Sequence, residues 1–197
     1  MPLVGAHVNM NSIAVRIARD RATMMPSTVL AWIVAGVVCV VGCTGATAAP
    51  PTAIFPFEIY DTSGEPARPD LTERLAMATR VLSEALEKTG RYSPIDLGPF
   101  SADVAATSPR YMCGDCFLPI ARRAGAAYAV VPVVHKVSSL ISSMDIWILD
   151  TSNGAGVAHL GGQIRGDTSE AYEHGVRFLV RNRLPSDAPS GDDAPAK

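Results

Sequence analysis

Residues 127–165 read AYAVVPVVHKVSSLISSMDIWILDTSNGAGVAHLGGQIR. Three strand-length runs follow one another in this stretch. Residues 127–137 are apolar on both faces, as expected of a central strand covered on both sides. Residues 139–150 alternate, with Leu140, Met144, Ile146 and Ile148 on one face and Ser143, Asp145 and Trp147 on the other. The cluster DTSNGAG at 150–156 is a turn, and residues 157–165 form a third strand that Gly161 and Gly162 weaken. Short connections between consecutive strands make an antiparallel meander.

Working towards the amino terminus, residues 117–124 read as a helix ending at Gly125, with Pro119 tolerated in its first turn. Ser101 to Ala106 read as a helical turn or short helix, and residues 91–97 as a short strand containing Pro94. Leu71, Leu75, Ala78, Leu82, Ala85 and Leu86 recur at helical spacing up to Gly90. Asp70 and Glu73 form a capping box before them. Residues 53–61 read as one strand with Phe55, Phe57 and Ile59 on one face and Pro56 at an edge or bulge. Towards the carboxyl terminus, Asp167 with Glu170 is a second capping box. Tyr172, Val176, Leu179 and Val180 form the stripe of a last helix.

The order is therefore β-α-β-α-β-β-β-α. The fold class is α/β, a small mixed sheet of about five strands with helices packed on it. A single domain over 49–184 suits the chain length of 197. The tail at 185–197, PSDAPSGDDAPAK, is polar and proline-rich, the composition of a disordered segment.

Residues 1–48 have the pattern of an export segment. Arg16, Arg19 and Arg21 precede the apolar run VLAWIVAGVVCVV at 29–41, and Ala46-Thr47-Ala48 matches a small-residue cleavage site. Val40-Val41-Gly42-Cys43 also resembles a lipoprotein box, which would place lipidation at Cys43. A single uncleaved membrane span is the third outcome. Each of these puts the domain in, or facing, the periplasm. Beyond residue 48 the chain carries 14 basic and 18 acidic residues, which argues against a partner recognised through phosphate backbone contacts. Aromatics at 6% argue against a stacking platform for single strands.

Cys113-Gly-Asp-Cys116 is the sharpest local motif. In an oxidising compartment the pair reads as a disulfide that staples a loop to a helix. The alternative is a redox pair activated by a helix start, although Asp115 would oppose thiolate formation. Phe117 rules out a c-type haem attachment motif, and a zinc site would need His135, His159 or His174, which are dispersed. His135 and His159 lie on strands that can share a face. Glu58, Asp61 and Glu65 cluster near the end of the first strand and could line a cleft, but they read better as an ordinary solvated loop. Arg177, Arg181 and Arg183 could bind an anion, but helix-dipole complementation accounts for them. The residues call for no cofactor, no metal and no catalytic constellation.

The segments IFPFEIYDTSGEP, RYSPIDLGP, CGDC with ARRAGAAYAVVPVVHKVSSLI, and RGDTSEAYEHGVRFLVRNRL resemble a bacterial family of exported proteins with a domain of unknown function. Members of that family often sit near genes for periplasmic quinoprotein alcohol oxidation, and its paired cysteines match Cys113 and Cys116. The strand order is also similar to that of the amino-terminal domain of TolB. These resemblances imply an envelope protein that binds a protein partner or a small ligand. A periplasmic thiol–disulfide protein and a ligand-binding accessory to quinoprotein metabolism are the alternatives.

Overall fold

The computed structural model describes residues 48–66 and 68–186. The expected export segment up to residue 47, with Cys43, and almost all of the expected carboxyl tail lie outside the described residues.

The six strands are β1 (Pro51–Ile54), β2 (Glu58–Asp61), β3 (Ser93–Ile95), β4 (Tyr128–Lys136), β5 (Ile141–Asp150) and β6 (Gly156–Arg165). The helices are α1 (Leu71–Lys88), α2 (Ser101–Ala106), α3 (Leu118–Arg123) and α4 (Ser169–Arg183). The strands form one mixed sheet in the order β3-β1-β4-β5-β6, with β2 also paired to β4. β1 lies parallel to β3 and β4, β2 lies parallel to β4, and β4, β5 and β6 form the antiparallel meander. The α/β class and the meander are as the periodicity implied.

The first strand differs from its sequence pattern. Residues 53–61 are two strands, broken at Phe55-Pro56-Phe57. Proline has no N–H for the ladder, so pairing stops there and resumes on the same neighbour, β4, farther along. The break also shifts the phase of the alternation. Phe55 enters the core on one face of the sheet, while Phe57 and Ile59 join the core on the other.

Each face carries its own core. On the first, α1 and α4 press Ala78, Leu82, Leu86, Tyr172, Val176 and Leu179 onto Val130, Val134, Met144, Ile146, Ile148 and Leu160. α4 approaches β6 closely because two glycines allow it. A Cβ at Gly175 would lie 2.5 Å from Ile164 Cγ2, and one at Gly162 would lie 3.0 Å from Leu179 Cδ2. The glycines that weaken β6 as a strand are thus a condition of its packing. On the second face, α2 and α3 cover β1 and the first half of β4 through Val104, Phe117, Leu118 and Ile120. Leu140, expected in the inward stripe of β5, instead stands 72% exposed in the turn before the strand begins.

Neither capping box forms. Asp70 is the residue before α1, but its carboxylate accepts from Arg74 at 2.6 Å and from Arg68 at 3.3 Å, not from the helix amides. The cap of α4 is Thr168, whose hydroxyl accepts from Ala171 N at 3.2 Å. Asp167 points into the interior to pair with Arg74 and Lys136. A buried cation is a stronger partner for a carboxylate than a solvated amide is.

Candidate functional site

The second face of the sheet is only half covered. In the ladder, Val133 stands opposite Asp145, which stands opposite Gly161; Trp147 stands opposite His159; and His135 stands opposite Ser143. All of these belong to the face that α2 and α3 cover only as far as Val131 and Leu149. Trp147 is therefore 39% exposed on a strand whose other face is buried from Ser142 to Ile148. Its indole stacks flat on the His159 ring, with centroids 4.9 Å apart and planes 7° apart. His159 Nε2 lies 2.9 Å from Asp145 Oδ1. Gly161 makes room for this pair, because a Cβ there would sit 3.0 Å from Asp145 Oδ1 and 3.3 Å from the imidazole.

A second aromatic group adjoins it. Glu58 and Tyr60 of β2 share this face by their register with Val133 and His135. The Tyr60 ring stacks on His135 at 4.8 Å and meets Tyr111 at 5.4 Å. His135 Nε2 is held 2.8 Å from the Thr62 hydroxyl. Between the two groups lies a 200 Å³ cavity. Val131, Val133, Leu149 and Trp147 form its apolar wall, and Tyr111 and Asp115 its rim. An apolar wall with a few polar groups at the edge suits a partner's apolar or aromatic side chain, or a small ring-bearing ligand.

Cys113 and Cys116 are joined by a disulfide and lie in the turn between the short helical segment Arg110–Met112 and α3. The bridge closes the loop that puts Gly114 and Asp115 at the cavity rim. Gly114 has φ +62°, a conformation that glycine adopts without steric cost. Arg110 anchors the same segment from beneath. Its guanidinium is buried, donates to the carbonyls of Val104 and Pro56 at 3.0 Å, and lies 2.9 Å from Glu58 Oε1. The Arg110 amide donates to Glu58 Oε2 at 2.6 Å. Burial pulls the guanidinium below its ordinary pKa, against the opposing pull of the Glu58 charge. Glu58, expected in a solvated loop, is instead the buried tie between β2 and the disulfide segment. Beside it a 740 Å³ depression runs from Pro56 to Pro109.

Asp61 and Glu65, grouped with Glu58 in the sequence, face the other way. They ring Lys136 with Asp167: Nζ lies 3.1 Å from Glu65, 3.5 Å from Asp167 and 3.8 Å from Asp61. Arg74 completes the cluster, paired to both Asp167 and Asp70. Burial pulls the Lys136 ammonium down, but the Glu65 hydrogen bond and the charges of Asp167, Asp61 and Glu65 outweigh it, so its pKa is raised. Asp61 is lowered, first by the Ser63 hydroxyl and amide. This cluster is structural. It pins the end of β4 to the start of both long helices. The sequence carried a signal for it, since Arg74 occupies a stripe position of α1, one helical step before Ala78.

His135 and His159 thus share a face, while His174 lies on the exposed side of α4 and joins neither. Arg177, Arg181 and Arg183 stand at the last turns of α4. Among the described residues, no group of three or more His, Cys, Asp or Glu is placed to hold a metal ion. No helix among them is long and apolar enough to cross a membrane.

A family model described as "Protein of unknown function (DUF2380)" matches residues 50–184. The chain belongs to that family, DUF3280. The family resemblance carried by the four quoted segments is borne out. No curated protein sequence matches the chain. Among solved structures, the chain is similar to the LpoB carboxy-terminal domain from Salmonella enterica at 17% identity and TM-score 0.43, covering 61% of this chain and 86% of that one. It is similar to lipoprotein GNA1162 from Neisseria meningitidis at 14% identity and TM-score 0.42, covering 60% and 82%. It is also similar to TolB from Acinetobacter baumannii at 13% identity and TM-score 0.42, covering 71% of this chain and 29% of that one.

Proposed function

We propose that this member of the DUF3280 family is a non-enzymatic binding module of the bacterial envelope. In this reading residues 1–48 direct export, with cleavage before Ala49 or lipidation at Cys43. Residues 49–184 form the module, and 185–197 form a tail. The module takes its partner on the uncovered sheet face around Trp147, His159, Tyr60 and Tyr111.

One observation carries this reading. Trp147 stands exposed and stacked flat on His159, on a face where the strand pattern calls for a small or polar side chain. Leaving an indole in water forfeits the free energy of burying it, and tryptophan and tyrosine are the residues on which protein interfaces concentrate their affinity. Their few rotatable bonds, fixed here by stacking, lower the cost of ordering them on binding. The test is loss of partner retention when Trp147 and Tyr60 are truncated.

The disulfide is assigned the role of a brace for the rim. What favours the competing thiol–disulfide reading is that the two cysteines are only half-buried and enclose Gly114 and Asp115, which line the cavity. Replacing both cysteines, Cys113→Ser with Cys116→Ser, separates the two. Removing the constraint on so short a loop is expected to lower stability by about 2 kcal/mol, read from thermal unfolding. Partner retention is expected to survive with affinity reduced less than about tenfold. Complete loss of function in a variant that still unfolds cooperatively would support redox chemistry instead.

A further inference from the structure

The chain enters the domain at one pole of the sheet. The Pro50 carbonyl accepts from Ser93 N at 3.0 Å, and Pro51 faces Ser93 across β1 and β3, so Pro50 enters the sheet close to Arg91. Both long helices end at this pole, at Lys88 and Arg183. Between their ends lies a 540 Å³ depression, lined by Lys88, Arg91, Arg177 and Arg181 around Val180 and Leu184. Among the described residues, none of those that line it is a carboxylate. Arg177 is paired to Glu173 at 2.9 Å, and Arg91 donates to the Pro185 carbonyl.

Four cations therefore gather on a chain in which acidic residues otherwise outnumber basic ones. The dipoles of two helix ends favour cations at their last turns. They do not account for Arg91, which belongs to neither helix, or for an apolar floor open between the charges. Long basic side chains around an apolar floor, at the pole where Pro50 enters the sheet, are suited to a charged lipid interface. We propose that this pole rests on an anionic phospholipid surface, with Lys88, Arg91 and Arg181 taking headgroup phosphates. The surface is separate from the aromatic face, so either assignment can fail alone.

The test uses the full chain, co-floated with vesicles of phosphatidylcholine alone or with one quarter phosphatidylglycerol. One variant carries Lys88→Gln, Arg91→Gln and Arg181→Gln. A control removes the same charge elsewhere through Arg68→Gln, Arg80→Gln and Arg165→Gln. The export segment is common to all three proteins. The wild-type chain is expected to prefer the anionic vesicles at least about tenfold at ~0.1 M salt, and to lose the preference near ~1 M. The control should keep the preference and the pole variant should lose most of it, while both unfold at the wild-type temperature. A preference that persists in the pole variant, or falls equally in the control, would overturn the assignment.

Discussion

Asp167→Ala is expected to lower the unfolding free energy by about 3–5 kcal/mol. The carboxylate is 4% exposed and pairs with two cations, the guanidinium of Arg74 at 1% and the ammonium of Lys136 at 3%. Removing it leaves two buried positive charges facing one another across the site. Arg74 retains Asp70, and Lys136 retains Glu65 and Asp61, but those carboxylates are between about a third and a half exposed. Their attraction is screened by water and does not replace Asp167. Because the three groups hold the end of β4 against the starts of α1 and α4, the loss should appear in global unfolding. A fall in melting temperature of roughly 10–20 °C is expected. The combined exchange Asp167→Leu, Arg74→Met and Lys136→Met should recover much of it, because an apolar replacement carries no desolvation cost. A single-variant loss below about 1 kcal/mol would mean that the cluster is hydrated.

Truncating Trp147 and Tyr60 together to alanine is expected to weaken partner binding by at least about thirtyfold, or ~2 kcal/mol. Stability should change by less than ~1 kcal/mol, because the two residues are 39% and 45% exposed and neither belongs to a core cluster. The contrast between the two readouts is the useful part. Ordinary surface aromatics would move neither quantity, and core aromatics would move both. Trp147 also offers its own signal. Trp32 precedes residue 49, so a chain cleaved before Ala49, as proposed, has Trp147 as its single tryptophan. A partner that covers the indole should shift its emission to shorter wavelength.

The meander, the two long helices and the α/β class were legible in the sequence because period-2 and period-3.6 patterns report burial directly. What escaped depended on partners distant along the chain. The alternation of Phe55, Phe57 and Ile59 runs unbroken through Pro56, yet the missing N–H splits the strand and sends Phe55 to the opposite core. Asp70 and Asp167 each precede a helix and look like caps. Arg74, 93 residues from Asp167, draws both away, which no local window can reveal. Glu58 looks like a loop residue until Arg110, 52 residues on, is folded beneath it. The candidate face was half visible. Trp147 falls on the polar side of its strand in the sequence itself, and hairpin register brings His159 beside it. Tyr60 and Tyr111 join through tertiary contact alone.

Site-specific photo-crosslinking tests the binding face most directly. A photoreactive phenylalanine analogue is placed at position 147 of the full chain in its native cell, and in a separate strain at Phe178. Phe178 is exposed to a similar degree, 41% against 39%, but lies on α4 across the sheet. A discrete adduct from position 147, weakened by Tyr60→Ala and not formed from position 178, is the expected result. Adducts from position 178 with none from 147 would contradict the assignment of the aromatic face as the surface on which this protein works.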